Sequence, residues 1–168
     1  PVLPQIASKF QTSGVWLGFL MASYSIAQFI AAPILGQLSD KIGRKPVLVF
    51  SKLGTIVSYI ILANASTLSW LIISRLIDGF TGGNIAVARA YLSDITPEKN
   101  RSKAMAVIGI GFAVGFIIGP GIGGICYKLA NDFSIAGYVG AGLSLISLII
   151  TMIGIKEPPK KETKFEKK

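Results

Sequence analysis

Five long runs of apolar residues, separated by short polar and charged stretches, dominate the pattern of this chain. Each run is about long enough to cross a bilayer, for which an α-helix needs about 20 residues. We therefore predict five membrane-spanning helices, at residues 15–35, 47–63, 68–92, 104–126 and 134–155. The predicted fold class is an all-α membrane protein.

The two ends of the chain differ from these runs. Residues 1–14 are mildly polar, with Lys9 as their only charge, and we interpret them as the end of a preceding helix plus an external loop. Residues 156–168 are rich in lysine and glutamate without apolar periodicity, so we predict no packed structure for them. Because the sequence starts at Pro1 without methionine, we expect a piece of a longer protein.

Composition agrees with a membrane protein, since 51% of the 168 residues are hydrophobic, 15% are charged and the mean hydropathy is +0.61. The net charge of +9 does not indicate nucleic acid, because the cations gather in loops and at the C-terminus, where anionic headgroups account for them. One cysteine, Cys126, excludes an intramolecular disulfide. The lack of histidine removes the commonest metal ligand and general base, which counts against an enzyme.

The distribution of cations predicts the orientation of the helices. The stretches that follow the first, third and fifth predicted helices carry most of them, namely Lys41, Arg44, Lys45, Lys99, Arg101, Lys103 and the lysines of the C-terminal segment. The opposite side carries Lys9 and Lys128. Because cytoplasmic loops are enriched in lysine and arginine, we place the first group in the cytoplasm and the N-terminus outside.

The stretch between the first two predicted helices has the most specific pattern, G-x-x-x-D-K-x-G-R-K-x-x-L over residues 36–48. We predict a tight cytoplasmic turn in which each glycine permits a conformation or close approach that a Cβ would resist. The pattern resembles the loop between the second and third helices of the major facilitator superfamily. The resemblance implies a gating loop that contains Gly36, Asp40, Lys41, Gly43, Arg44 and Lys45.

A second polar stretch closes the third predicted helix with the pattern D-x-T-P-x-x-x-R, from Asp94 to Arg101. It resembles the drug exporters of the same superfamily, which adds these two residues to the implied gating set. Since the helix that ends at Asp94 must run antiparallel to a neighbour, we predict that Arg44 pairs with Asp94. We expect Asp40 to lie within reach of this pair.

The third predicted helix is unusual because it carries charges within a bilayer-length run. Arg75 and Asp78 lie one turn apart, and a charge in hydrocarbon is costly, so both should face protein or a water-filled cavity. They form either a pair that only neutralises both charges or a site of proton coupling. The pattern R-x-x-x-G from Arg75 to Gly79 resembles the fourth-helix motif of proton-coupled facilitators, which implies proton coupling with Asp78 as the neighbouring acid.

Small residues recur along the fourth predicted helix, and such a stripe lets another helix approach closely. Its pattern, G-x-x-x-G-P-x-x-G-G, resembles the fifth-helix motif of drug/proton antiporters such as the tetracycline exporters. The resemblance implies a conformational role and favours export over uptake. The residues concerned are Gly111, Gly115, Gly119, Pro120, Gly123 and Gly124.

Two amide side chains within helices, Gln28 and Asn84, are weaker candidates for a substrate cavity. Interhelical hydrogen bonds use such residues routinely, which is the competing interpretation.

Over the whole chain, the resemblance implies helices two to six of a twelve-helix transporter, in the first six-helix bundle and without its first helix. It implies a plasma-membrane protein that exchanges protons for a drug-like or amphipathic small molecule by alternating access. The bilayer and the missing C-terminal bundle are then its other partners, and no cofactor is expected. The alternatives are a facilitator for sugar or metabolite uptake and a non-transporting receptor or truncated relative.

Overall fold

The computed structural model describes residues 14–130 and 134–158. The regular structure of this part is helical and comprises α1 (Gly14–Ile42), α2 (Arg44–Ala63), α3 (Leu68–Gly82), α4 (Asn84–Ile95), a 3-10 turn (Glu98–Asn100), α5 (Arg101–Ala130) and α6 (Ser134–Gly154). The expectations for residues 1–13 and 159–168 lie outside the described residues.

Within the described residues, five segments are long and apolar enough to cross a membrane, and α3 and α4 together make one of them, Leu68–Ile95. Many large apolar side chains point away from the bundle, such as Phe29, which is 83% exposed, and Ile153, which is 79% exposed. Contact with lipid tails is favourable for such apolar side chains, whereas contact with water is not. The predicted class, an all-α membrane protein, is confirmed.

The expected turn over residues 36–48 is wrong, because helix occupies nearly all of it. α1 continues past Leu35 to Ile42, and Gly43 alone separates it from α2. The polar residues at the end of α1 lie beyond the apolar part of this helix, but they remain helical. Gly43 has φ +108°, which side chains resist, so its predicted role holds. Gly36 lies inside α1 and makes no close approach, since no atom lies within 4 Å of where a Cβ would stand.

The third span is broken at Gly83, between α3 and α4. Helix breaks at membrane depth persist where another polar group satisfies the freed backbone. Here the Gln28 side chain on α1 donates a hydrogen bond from Nε2 to the Gly82 carbonyl, at 3.1 Å. The break is therefore supported from a neighbouring helix.

The helices pack in two tight seams. α1 lies against α3, where a Cβ on Gly79 would overlap the Tyr24 carbonyl oxygen. α2 lies against α6 and α3, and a Cβ on Gly137 of α6 would be 2.8 Å from the Ala63 Cβ. These contacts leave no room for a side chain. α5 touches α4 and α6 at the edge of the bundle.

The charged segments meet at one end of the bundle, as the sequence predicted for residues 36–48, Asp94 and the start of the C-terminal segment. The apolar cluster beneath this end joins α1, α2 and α4 and consists of Ala31, Leu35, Val47, Leu48 and Val87. At the opposite end, the Tyr138 hydroxyl of α6 donates to Asn64 Oδ1, just after α2, at 2.9 Å. We call the charged end the inner end, following the predicted orientation.

Candidate functional site

The inner end is organised around the side chain of Arg44, the first residue of α2. Its Nη2 lies 2.6 Å from Asp40 Oδ1, and its Nε lies 3.1 Å from Asp94 Oδ2 at the end of α4. Its Nη1 also donates to the hydroxyl of Ser39, at 2.5 Å. The guanidinium therefore ties α1, α2 and α4 together. The predicted pairing of Arg44 with Asp94 is confirmed, and Asp40 is within reach of it.

Burial differs across this network. The side chains of Arg44 and Asp94 are 14% and 21% exposed, whereas that of Asp40 is 61% exposed. Ion pairs of exposed groups contribute about 0–1 kcal/mol, whereas shielding from water strengthens the attraction between the charges and also raises the cost of removing them from water. The Arg44–Asp94 contact is thus the more shielded of the two, while Asp40 keeps a free face toward solvent.

The other charged residues of the implied gating set differ in what they contact. Lys41 is exposed in the last turn of α1. Lys45 reaches toward α6, where its Nζ donates to the Met152 carbonyl at 2.7 Å. Arg101 begins α5 and makes a local ion pair with Glu98 at 3.6 Å.

Arg75 and Asp78 form the pair that the sequence left open, with Nη1 and Oδ2 3.6 Å apart. Both side chains are 13% exposed, so two charges lie largely shielded inside a membrane-length segment. Nε and Nη2 of Arg75 are buried with no hydrogen-bond partner among the described residues. The pair therefore neutralises charge without using the full set of guanidinium donors.

Two tyrosines lie within electrostatic range of the charged pair. They are Tyr24 on α1 and Tyr59 on α2. The ring of Tyr59 also fills the space beside Gly140 of α6. Tyr59 was not among the residues predicted from the sequence, although it is a polar ring in the middle of an apolar run. Together these groups form a polar centre enclosed by α1, α2 and α3.

The two amide candidates differ in what they contact. Gln28 bonds to the Gly82 carbonyl, which supports the interhelical interpretation of this residue. Asn84 is half-buried at the first residue of α4, directly after the break. Gln28 therefore contacts the broken part of the third span from α1, and Asn84 belongs to it.

Most of the small-residue stripe of α5 faces open space in the part of the chain that the structure describes. Among the described residues, no atom outside the nearby backbone of α5 lies within 4 Å of where a Cβ would stand on Gly111, Gly115, Gly119 or Gly124. Gly123 is buried, and Pro120 lies inside the helix. A shallow groove on this face is lined by Ile108, Gly111, Phe112, Gly115 and Phe116.

A carboxylate that the sequence analysis missed, Glu157, completes the inner end. Its Oε1 accepts a hydrogen bond from the backbone N–H of Arg44, and its Oε2 accepts one from that of Lys45. No local pattern links residues this far apart in the chain. Within residues 14–130 and 134–158, no group of three or more potential metal ligands occurs.

Comparison with known proteins identifies the family. The family model described as Major Facilitator Superfamily matches residues 1–168. The chain is 41% identical over 166 residues to the class H tetracycline resistance protein of Pasteurella multocida, covering 96% of this chain and 41% of the relative. It is 35% identical over 160 residues to the class B tetracycline resistance protein of Escherichia coli, covering 94% and 39%.

A third relative carries a broader name. The chain is 33% identical over 159 residues to Multidrug resistance protein 1 of Bacillus subtilis (strain 168), covering 94% of this chain and 40% of the relative. The chain thus spans about 40% of the length of these relatives.

The expected resemblance, the non-enzymatic character and the location in the plasma membrane are confirmed. By its sequence along the whole chain and its five membrane-length segments, this protein belongs to the major facilitator superfamily.

Proposed function

We propose that this chain supplies helices two to six of a twelve-helix, proton-coupled exporter of drug-like, amphipathic compounds. Its similarity to tetracycline and multidrug resistance proteins supports the substrate class. Its span of about 40% of their length supports a larger protein with a second bundle. Transporters of this kind alternate access by rocking one bundle against the other around a site near the midplane.

The observation that carries this proposal is the shielded Arg75–Asp78 pair in a membrane-length segment. Ionisable residues inside a membrane are expensive, and they commonly mark ion pathways and proton relays. An arginine stays protonated at physiological pH, so Arg75 cannot itself carry the proton. It can hold a carboxylate in its charged form until water or substrate weakens the contact. Asp78 is the acid in this position.

The unused donors of Arg75 suggest a further partner. Its Nε and Nη2 are buried, and a buried donor without an acceptor costs about 1–3 kcal/mol. We propose that an acceptor from the helix before this chain, or a polar group of the substrate, binds there during part of the cycle. Exchange of that acceptor would link substrate binding to the charge state of the pair.

At the inner end, the Arg44 network supports a gate. Its contacts hold α2 to both α1 and α4, which keeps the charged segments closed over the apolar cluster. A bias of about 1.4 kcal/mol changes the ratio of two states tenfold. Even a moderate change in this network would therefore shift the balance between inward-open and outward-open states. The exposed face of Asp40 is available to the second bundle.

The open face of α5 supports a contact with a part of the protein outside this chain. Glycines without neighbours permit the close approach of a second helix, and Pro120 removes one backbone hydrogen bond within α5. We propose that the second bundle packs on this face and slides against it as access alternates. The stripe then has a conformational role rather than a role in binding the substrate.

Export by the full-length protein tests this function. Cells stripped of their own drug exporters should tolerate more tetracycline when they express it, and they should accumulate less drug. A protonophore should abolish the difference. If the cells instead take up a sugar and gain no tolerance, the protein is a metabolite facilitator. If neither compound moves although the protein reaches the membrane, it is a non-transporting relative.

A further inference from the structure

The segment that leaves α6 turns back onto the bundle. Ile155 packs against the apolar cluster beneath the inner end, and its N–H donates to the Thr151 carbonyl at 3.2 Å, just beyond the last residue of α6. Glu157 follows two residues later and reaches the first turn of α2. The chain is thus anchored by an apolar side chain and then by a carboxylate.

The carboxylate occupies the position of a helix N-cap. Its Oε1 lies 2.5 Å from the N of Arg44, and its Oε2 lies 2.8 Å from the N of Lys45. The first N–H groups of a helix lack partners within the helix, and the positive end of the helix dipole favours an anion there. The residue before α2 is Gly43, which has no side chain to cap it, and the first turn contains no acid. Glu157, which is distant in the sequence, therefore provides the capping acceptor that the residues around the start of α2 do not.

Gly43 provides the space that this contact requires. A Cβ on Gly43 would lie 2.8 Å from Oε1 and 2.9 Å from Cδ of Glu157. Its φ of +108° also directs the chain sharply from α1 into α2. The glycine therefore serves both the turn and the approach of the carboxylate.

Two further contacts link this cap to the ion-pair network. The Nζ of Lys45 donates to the Met152 carbonyl near the end of α6, which fixes the same turn a second time. The side chain of Arg44, whose N–H binds Glu157, holds Asp94 and Asp40. The backbone of Arg44 is thus tied to the segment after α6, and its guanidinium is tied to α1 and α4.

We propose that Glu157 is a positioning residue, which orients Arg44 and couples the segment after α6 to the inner gate. Displacement of this segment removes the cap, loosens the first turn of α2 and weakens the hold of Arg44 on Asp94. In the proposed twelve-helix protein, the segment leads toward the second bundle, so movement of that bundle would reach the gate through Glu157. The coupling rests on the proposed gate but on no particular substrate or direction of transport.

The test measures how often the inner end opens, without any substrate. Val87 is fully buried in the apolar cluster, seven residues before Asp94 and hence about 10 Å along the helix. In the full-length protein with Cys126→Ser and Val87→Cys, a membrane-impermeant maleimide added from the inner side alkylates the new cysteine when this end opens. Glu157→Ala should raise the alkylation rate about tenfold, which corresponds to about 1.4 kcal/mol and to a lost N-cap. The matched control, Glu98→Ala, removes an exposed carboxylate whose ion pair with Arg101 is local and solvent-exposed, and so should leave the rate within twofold.

A second variant background, Asp94→Asn, distinguishes a role of Glu157 in positioning Arg44 from simple support of the fold. If Glu157 acts through Arg44, Glu157→Ala should add less than twofold once Asp94→Asn has already removed the ion pair. An undiminished tenfold effect in that background would show that Glu157 only supports α2, and an unchanged rate in the first background would exclude the cap itself. Should Glu157→Ala fail to accumulate, Glu157→Gln provides the same comparison, because it loses the charge and keeps one acceptor. Faster hydrogen exchange at the amides of Arg44 and Lys45 in Glu157→Gln is then expected, and unchanged exchange would overturn the proposal.

Discussion

The packing of α1 on α3 predicts that Gly79→Ala destabilises the bundle. A Cβ at this position would overlap the Tyr24 carbonyl oxygen and would lie 2.9 Å from the Ala27 Cβ. Ordinary contact between carbon atoms needs about 3.5–4.0 Å, so α1 and α3 must separate by about 1 Å. The nearest atom belongs to the backbone and cannot rotate away. The change therefore has to be absorbed by the whole seam.

The expected magnitude follows from two opposing terms. Overpacking of a tight interior costs about 1–3 kcal/mol. Alanine is a better helix former than glycine by about 1 kcal/mol, which offsets part of that cost. Because the nearest atom is backbone, we place the overpacking cost at about 2–3 kcal/mol and expect a net loss of about 1–2 kcal/mol, or a fall in Tm of about 2–8 °C for a chain of this size.

Thermal unfolding in detergent provides the measurement. With Cys126→Ser and Val87→Cys, a maleimide dye reports exposure of the buried cluster as the temperature rises. The control is Gly142→Ala, at a helical glycine of α6 with no atom within 4 Å of a Cβ. The control should melt at the same temperature or slightly higher. Equal melting temperatures for Gly79→Ala and Gly142→Ala would refute the argument that this seam is closed to a side chain.

Substitutions at two further positions test the helix breaks by the same thermal assay. Gln28→Leu leaves the Gly82 carbonyl without its donor and should lower stability by about 1 kcal/mol, whereas Gln28→Glu lacks the donor as well and should not rescue it. Gly43→Ala should cost about 1–3 kcal/mol because alanine resists a backbone with φ +108° and ψ 157°, and Gly43→Asn should cost at least as much since this region is essentially restricted to glycine. Stability unchanged by Gln28→Leu, or a Gly43→Asn variant as stable as the unsubstituted protein, would contradict these accounts.

The sequence predicted the five spans and the meeting of Arg44 with Asp94, because both follow from strong signals. Span length and apolar composition are set by the bilayer, and opposite charges at the ends of antiparallel helices lie close together. The extension of α1 to Ile42 was not predicted, since charged residues were interpreted as a turn. A helix can continue into water beyond the bilayer, and α1 ends only where Gly43 adopts a positive φ.

Other features depend on contacts that no local pattern contains. The cap formed by Glu157 joins residues more than 110 positions apart, as the separations of 113 and 112 for its two bonds show. The break at Gly83 depends on a donor from α1. Spacing alone also did not distinguish the glycines that make close approaches, such as Gly79, from those that face open space, such as Gly115.

Transport by the full-length protein in inside-out vesicles tests the central claim most directly, when the drug is supplied outside and a pH gradient, acid inside, is imposed. The account predicts that the gradient drives drug accumulation, and that Arg75→Ala abolishes it while the amount of folded protein is unchanged. Arg75→Lys should recover little, because a point charge does not reproduce the guanidinium fork. Gradient-driven accumulation by Arg75→Ala at the original rate, or loss of the folded protein in that variant, would contradict the account, since Arg75 would then have no role in coupling or a structural one.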